Sequence, residues 1–156
     1  MNKPDLLRQI IATLSSELEN LQRGARESFA AATDPDSKAE NKYDTRTLEA
    51  SYVARGQAQR VAELQQALHH FQALPVQPLP PGSAITTGSL VTLAGAEGKS
   101  HYFIGPGAGG TEVVHLGTEV LIITPSSPLG QRLMSRRQGE RITQLNGVSA
   151  TIETAT

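Results

Sequence analysis

The chain has no cysteine and no tryptophan, and aromatic residues make up only 4% of it. Without cysteine there are no disulfides, no thiolate metal sites and no cysteine nucleophile, which fits a reducing compartment. With so few aromatics among 38% hydrophobic residues, any core must be small and rest on Leu, Ile and Val. An excess of one charge is also missing: 14 Lys plus Arg face 15 Asp plus Glu, a formal net charge of −1. That balance gives no general attraction to nucleic acid or to an anionic membrane, so independent high-affinity nucleic-acid binding is not expected. Long apolar runs are absent as well. The segment after Met1-Asn2-Lys3-Pro4-Asp5 is amphipathic and carries Glu17 and Glu19, unlike a signal peptide, and no stretch is long enough to cross a membrane. A cytoplasmic protein is the expectation. At 156 residues the chain suits one ordinary domain, or a small domain with an extension, and not a large enzyme.

What the sequence does have is a pair of helical patterns around an acidic turn. Pro4 and Asp5 suit a first helical turn, where a missing N–H costs little and a negative charge meets the positive end of the dipole. From there Leu7, Ile11, Leu14, Leu18, Leu21, Ala25, Ser28 and Ala32 follow at alternating steps of four and three, a narrow seam for a partner helix. A second seam, Leu48, Ser51, Ala54, Ala58, Val61, Leu64, Leu68 and Phe71, runs from about Thr45 to Leu74. The run Asp34-Pro35-Asp36-Ser37-Lys38-Ala39-Glu40-Asn41-Lys42-Tyr43-Asp44 lies between them. Two helices joined by so short a turn fold back as an antiparallel hairpin, which puts these carboxylates at its tip. The seam's large residues fall toward the base. Its small ones, Ala25, Ser28, Ala32, Ser51, Ala54 and Ala58, fall toward the tip, where they let the backbones approach and keep the hairpin slim.

Leu74-Pro75-Val76-Gln77-Pro78-Leu79-Pro80-Pro81-Gly82 ends the second helix with four prolines in nine residues, a stiff, extended connection. The expected organisation is therefore a coiled-coil hairpin over 1–74, a proline-rich linker over 75–82 and a small β domain over 83–156, an α+β chain. Short strand-like runs cover Ser89 to Leu93, His101 to Ile104, Glu119 to Ile123, Arg141 to Leu145 and Val148 to Glu153, forming a mostly antiparallel sheet. Asn146-Gly147 reads as a two-residue hairpin connection. Ser127-Pro128-Leu129-Gly130-Gln131-Arg132-Leu133-Met134 reads as a short helix, with Ser127 as its cap and Pro128 at its first position.

The helical hairpin with its acidic tip, the linker, and the Ser-Pro-Leu-Gly element before a short helix together resemble the Gre family of bacterial transcript-cleavage factors. The resemblance spans nearly the whole chain. It is most specific at Glu40-Asn41 and at Ile123-Thr124-Pro125-Ser126-Ser127-Pro128-Leu129-Gly130, followed by Leu133, Arg136, Arg137 and Gly139. The resemblance implies a C-terminal domain of FKBP-like fold and a coiled coil that enters the secondary channel of bacterial RNA polymerase. There two tip carboxylates help to hold Mg2+ and water, so that the polymerase hydrolyses a backtracked transcript. The factor would be a monomer with no cofactor of its own, sharing the polymerase's metal through Asp36 and Glu40, with Asn41 and Asp44 as further candidates. Hard divalent cations prefer such oxygen ligands. Docking would fall to Ser127, Pro128, Leu129, Gly130, Arg132, Arg136 and Arg137. One position departs from the family pattern: Ser37, not an acid, stands three residues before Glu40. Asp36 and Glu40 still share a face if that stretch is helical. The departure keeps open a non-cleaving factor that occupies the channel and modulates initiation or pausing.

Other constellations have plainer readings. Asp34, Asp36 and Asp44 can cap helix starts. His69 and His70 point in different directions at a helix end, and His101 and His115 sit in strand-like sequence with no acidic or cysteine partner at metal-ligand spacing. Gly105-Pro106-Gly107-Ala108-Gly109-Gly110 lacks the Lys-Ser/Thr ending of a phosphate loop and reads as a flexible loop. Ser127 lacks the setting of a hydrolase nucleophile. A stand-alone peptidyl-prolyl isomerase would have only Tyr102 and Phe103 as aromatics in the β domain.

Overall fold

The computed structural model describes residues 1–33 and 46–156. Two long helices come first, α1 (Lys3–Thr33) and α2 (Arg46–Gln72). A sheet with one short helix follows: β1 (Leu90–Gly95), β2 (Gly98–Ile104), β3 (Glu112–His115), β4 (Thr118–Ile123), α3 (Pro128–Leu133), β5 (Arg141–Thr143) and β6 (Ser149–Ala155). The fold class is α+β, as the sequence patterns indicate. The chain divides into two compact units, and the division falls within both long helices: Met1–Thr13 with Ala67–Thr156 form one, Leu14–Gln66 the other.

In the first unit the strands lie in the order β3-β4-β2-β1-β6-β5. All neighbours are antiparallel except β2 and β4, which run parallel with Phe103 beside Ile122. Alternation along the strands sends two sets of side chains to opposite faces. One set, including Val91, Leu93, Ile104, Ile123, Ala150 and Ile152, packs with Ile85 and with Leu129 and Leu133 of α3. On the other face Phe103 stacks on Phe71 of α2, ring centroids 6.0 Å apart. Leu6, Leu7 and Ile10 of α1 and Ala67 of α2 are buried in the same unit. Full burial of a side chain such as Leu6 or Phe71 contributes about 1.5–3 kcal/mol, so a few Leu, Ile and Phe residues carry this core.

Three expectations need correction here. β3 is not among the five strand-like runs, although His115 lies in strand-like sequence: it has only four residues, and the connection to β4 is Leu116-Gly117, both with positive φ (52° and 77°). A leucine in that conformation gives none of the usual Asn or Asp signal of such a turn. The β5–β6 connection has three residues instead of two. Gln144 N–H donates to Val148 O at 2.8 Å, Gly147 N–H donates to Gln144 O, and Asn146 Oδ1 accepts from Val148 N–H. Gly147 alone takes the left-handed conformation, φ 82°, so the turn is a type I with a following bulge. Finally, the glycine-rich segment is packed at its start. A Cβ on Gly105 would lie 2.7 Å from both Phe71 Cζ and Ile122 Cγ2, and one on Gly107 would lie 2.9 Å from Ala67 Cβ.

In the second unit the helices pair antiparallel. Gly24 lies against Gln57, Gln22 and Ala25 border the same groove as Ala58 and Val61, and Ala25 and Phe29 the same groove as Ser51 and Ala54. The seam of α1 is seen as burial of Leu14 and partial burial of Leu18, Leu21, Ala25 and Ser28. On α2 the seam holds from Val61 to Leu64, but Leu48, Ser51 and Ala58 are exposed. Methyl side chains at Ala25, Ala54 and Ala58 are too short to cover one another, which leaves an open groove of about 330 Å³ bordered by Phe29 and Thr33.

Candidate functional site

Of the residues singled out by sequence, those in the Ser-Pro-Leu-Gly element have the clearest geometry. Ser127 adopts an extended conformation (φ −64°, ψ 154°) and caps α3 by accepting from Gly130 N–H at 3.0 Å. Its hydroxyl donates to Thr124 O at 2.7 Å, and its own N–H reaches the same oxygen at 3.0 Å. Pro128 sits at the first helical position, where no N–H is required. Leu129 is buried in the core. Gly130 is held so close to the preceding turn that a Cβ would lie 1.9 Å from Thr124 O. Each residue type is thus accounted for by one tight strand-to-helix turn, and Pro128 alone of the four is exposed. Ser127 is a cap and not a nucleophile.

The arginines that follow are all exposed but not equivalent. Arg132 donates to two carbonyls, Thr143 O at 2.6 Å and Gln144 O at 2.7 Å. Arg137 donates to Gly82 O. Arg136 pairs with Glu140 at 3.5 Å, an exposed contact of little energetic weight. Arg141 is on β5. Arg132 is thus tied to the β5–β6 connection and Arg137 to the segment before Ile85, while Arg136 is held only by its exposed pairing with Glu140. The tie of Arg132 was invisible in the spacing of the arginines.

Asp36, Glu40, Asn41 and Asp44, with Asp34 and Ser37, lie outside the described residues. So does the question of whether Asp36 and Glu40 share a face.

The histidines have structural partners. His101 Nδ1 lies 3.1 Å from Thr92 Oγ1. His115 is buried, with Nδ1 2.6 Å from Gln9 Oε1. Gln9 Nε2 donates to Val114 O, so Oε1 is the atom turned to the ring, and Nδ1 must carry the proton. His69 and His70 are exposed on α2, with rings 6.1 Å apart and tilted by 51°. Among the described residues no group of three or more His, Asp or Glu is placed to hold a metal ion. Phe103 is fully buried against Phe71, and Tyr102 is half-buried against the core.

One charged residue escaped the sequence reading. Lys3 is only 4% exposed, its Nζ donates to Gln77 O at 3.0 Å, and burial pushes the amine below its usual pKa. It ties the first turn of α1 to the proline-rich segment. A lysine followed by proline at a helix start carries no sign of such a role.

No protein-family model and no curated protein matches the chain. Among solved structures it is similar to the GreA factor homolog 1 (Gfh1) protein of Thermus thermophilus, at 17% identity over 94% of each chain with a TM-score of 0.38. Similarity to Thermus aquaticus Gfh1 is also 17% identity, over 92% of each chain, with a TM-score of 0.38. A prokaryotic transcription elongation factor GreA/GreB from Nitrosomonas europaea is similar at 19% identity, over 74% of this chain and 95% of that one, with a TM-score of 0.36.

Proposed function

We propose that this chain is a Gre-like accessory factor of bacterial RNA polymerase, not itself an enzyme, whose helical hairpin enters the secondary channel. The observation that carries the reading is the antiparallel pairing of α1 with α2 through small residues, with the acidic run Asp34 to Asp44 in the connection between them. A slim hairpin of this kind can deliver carboxylates into a cavity that a globular domain could not enter. Asp36 and Glu40 would add oxygen ligands to a Mg2+ ion at the polymerase centre and help to activate water there. Asn41 and Asp44 would support them. The exposed side of the Ser127-to-Gly130 turn, with Arg136 and Arg137, would dock on an acidic patch of the polymerase and favour encounter more than final affinity. The factor would act in the cytoplasm as a monomer.

Ser37, standing where the family has an acid, favours a second reading in which the hairpin occupies the channel without stimulating cleavage. A transcript-cleavage assay on purified backtracked elongation complexes separates the two. Stimulated cleavage that is lost in Glu40→Ala, with binding to polymerase retained, is the outcome expected of the first reading. Binding and altered initiation or pausing without cleavage would select the second, and absence of any binding would sink both.

A further inference from the structure

On each edge strand of the sheet one outward-facing carbonyl is bonded by a long polar side chain from a helix. Hydrogen-bonded and non-hydrogen-bonded residues alternate in an antiparallel pair, so every second residue of an edge strand turns its N–H and C=O away from the sheet. In β5, Glu140, Ile142 and Gln144 face β6, since Ile152 N–H donates to Glu140 O and Gln144 N–H to Val148 O. Arg141 and Thr143 therefore present their backbone outward. Arg132, in the last turn of α3, places its guanidinium on Thr143 O at 2.6 Å and on the adjacent Gln144 O at 2.7 Å. At the other edge Ile122 N–H donates to Thr111 O, so Val113 and His115 face β4 while Glu112 and Val114 face outward. Gln9 donates to Val114 O there and is itself held by His115. Both edge strands are short, three and four residues. Exposed edges are the places where a sheet adds a strand from another chain.

We propose that Arg132 and Gln9 are edge guards that keep a second copy of this chain from adding a strand at β5 or β3. Arg132 is then a structural cation on a sheet edge, whereas Arg137 bonds Gly82 O away from the edge and Arg136 pairs with Glu140. One guanidinium nitrogen, Nη1, makes both bonds, and the group stays charged at every accessible pH. This assignment does not depend on binding to polymerase and is tested on the chain alone.

The experiment is sedimentation velocity over a concentration series, with amide exchange as a second readout. Wild type should remain monomeric. Arg132→Ala should lower the concentration of half-association by about tenfold or more, equivalent to about 1.4 kcal/mol, and should slow exchange at the Arg141 and Thr143 amides as they pair. Arg132→Ala combined with Thr143→Pro should return to wild-type behaviour, because proline removes an outward donor from the edge. Arg141→Ala removes the same charge without touching the guarded carbonyls and should leave association unchanged. Gln9→Ala should act in the same direction through β3. If it fails to fold, the exposed Arg132 series still decides the matter. The proposal is overturned if folded Arg132→Ala associates no more than wild type, if Arg141→Ala matches it, if association survives Thr143→Pro, or if wild type already pairs through β5.

Discussion

At Gly130 an added Cβ would lie 1.9 Å from the Thr124 carbonyl oxygen, whereas at Gly56 it would meet nothing within 4 Å. The two glycines belong to the two compact units, and the contrast extends beyond them. The sheet unit buries Ile85, Val91, Phe103, Ile104, Ile122 and Leu133 completely. The helical unit leaves Phe29 64% and Tyr52 61% exposed and keeps a groove between its helices. One unit is close-packed, so its shape is fixed by volume. The other is held by a narrow seam, and its shape is fixed mainly by what its small residues leave out.

The sharpest way to break this contrast is to add the same methyl group to each unit. Gly130→Ala should destabilise the sheet unit by at least about 3 kcal/mol, because the obstacle is a backbone oxygen already bonded to Ser127 and unable to retreat. Loss of about 10 °C or more in the thermal midpoint is the expected reading. Gly56→Ala should instead stabilise α2 by about 0.8–1 kcal/mol, since glycine is the poorer helix former and the site is open. Calorimetry on the two variants decides both signs. A mild Gly130→Ala, or a destabilising Gly56→Ala, would mean that the two units are not packed as described.

Larger additions to the helical unit sharpen the comparison by separating stability from function. Ala54→Leu with Ala58→Leu puts two isobutyl groups beside an open groove, and the change in stability should stay within about 0.5 kcal/mol. Because the proposed role needs a slim hairpin, the same variant should lose its effect on polymerase in transcription assays while keeping its helical circular dichroism. Unchanged transcriptional effects in the folded variant would remove the physical reason for reading the small residues as clearance.

The same contrast explains which features could be seen in advance. The α1 seam from Leu14 to Ser28, the cap at Ser127 and the glycine at 130 are local: helix periodicity and turn chemistry act over a few residues, and the sequence shows them directly. β3 is different. The sequence around His115 is strand-like, but the strand exists because Val113 is buried beside Val120, a partnership between segments that Glu112-Val113-Val114-His115 does not name. The bonds of Gln9 to β3, 105 residues away, and of Arg132 to the β5–β6 turn are likewise products of topology. Leu48 was placed in the seam by spacing alone, yet it is exposed, because spacing names a face without saying whether a partner side chain is long enough to cover it.

The smallest expected effect concerns Lys3, the one buried amine among the described residues. Lys3 is almost fully covered, and burial lowers its pKa in the folded state. The protonated form is therefore penalised by folding below the folded-state pKa. That penalty disappears as pH rises from there to the ordinary value near 10.4, because through this window the unfolded chain binds more proton than the folded one and stability climbs. Lys3→Met removes the charge and keeps an unbranched stem of similar length. It gives up the bond to Gln77 O, but Gln77 is exposed and water can replace the donor. The variant should match wild type at neutral pH to within about 1 kcal/mol, on either side of zero. It should lack the part of the alkaline rise that Lys3 supplies. Urea midpoints of both proteins at about pH 7 and about pH 10 measure the difference, with all other titrating groups common to the two. Parallel pH profiles would show that Lys3 keeps an ordinary proton affinity in the fold, and that its bond to the proline-rich segment is made at no electrostatic cost.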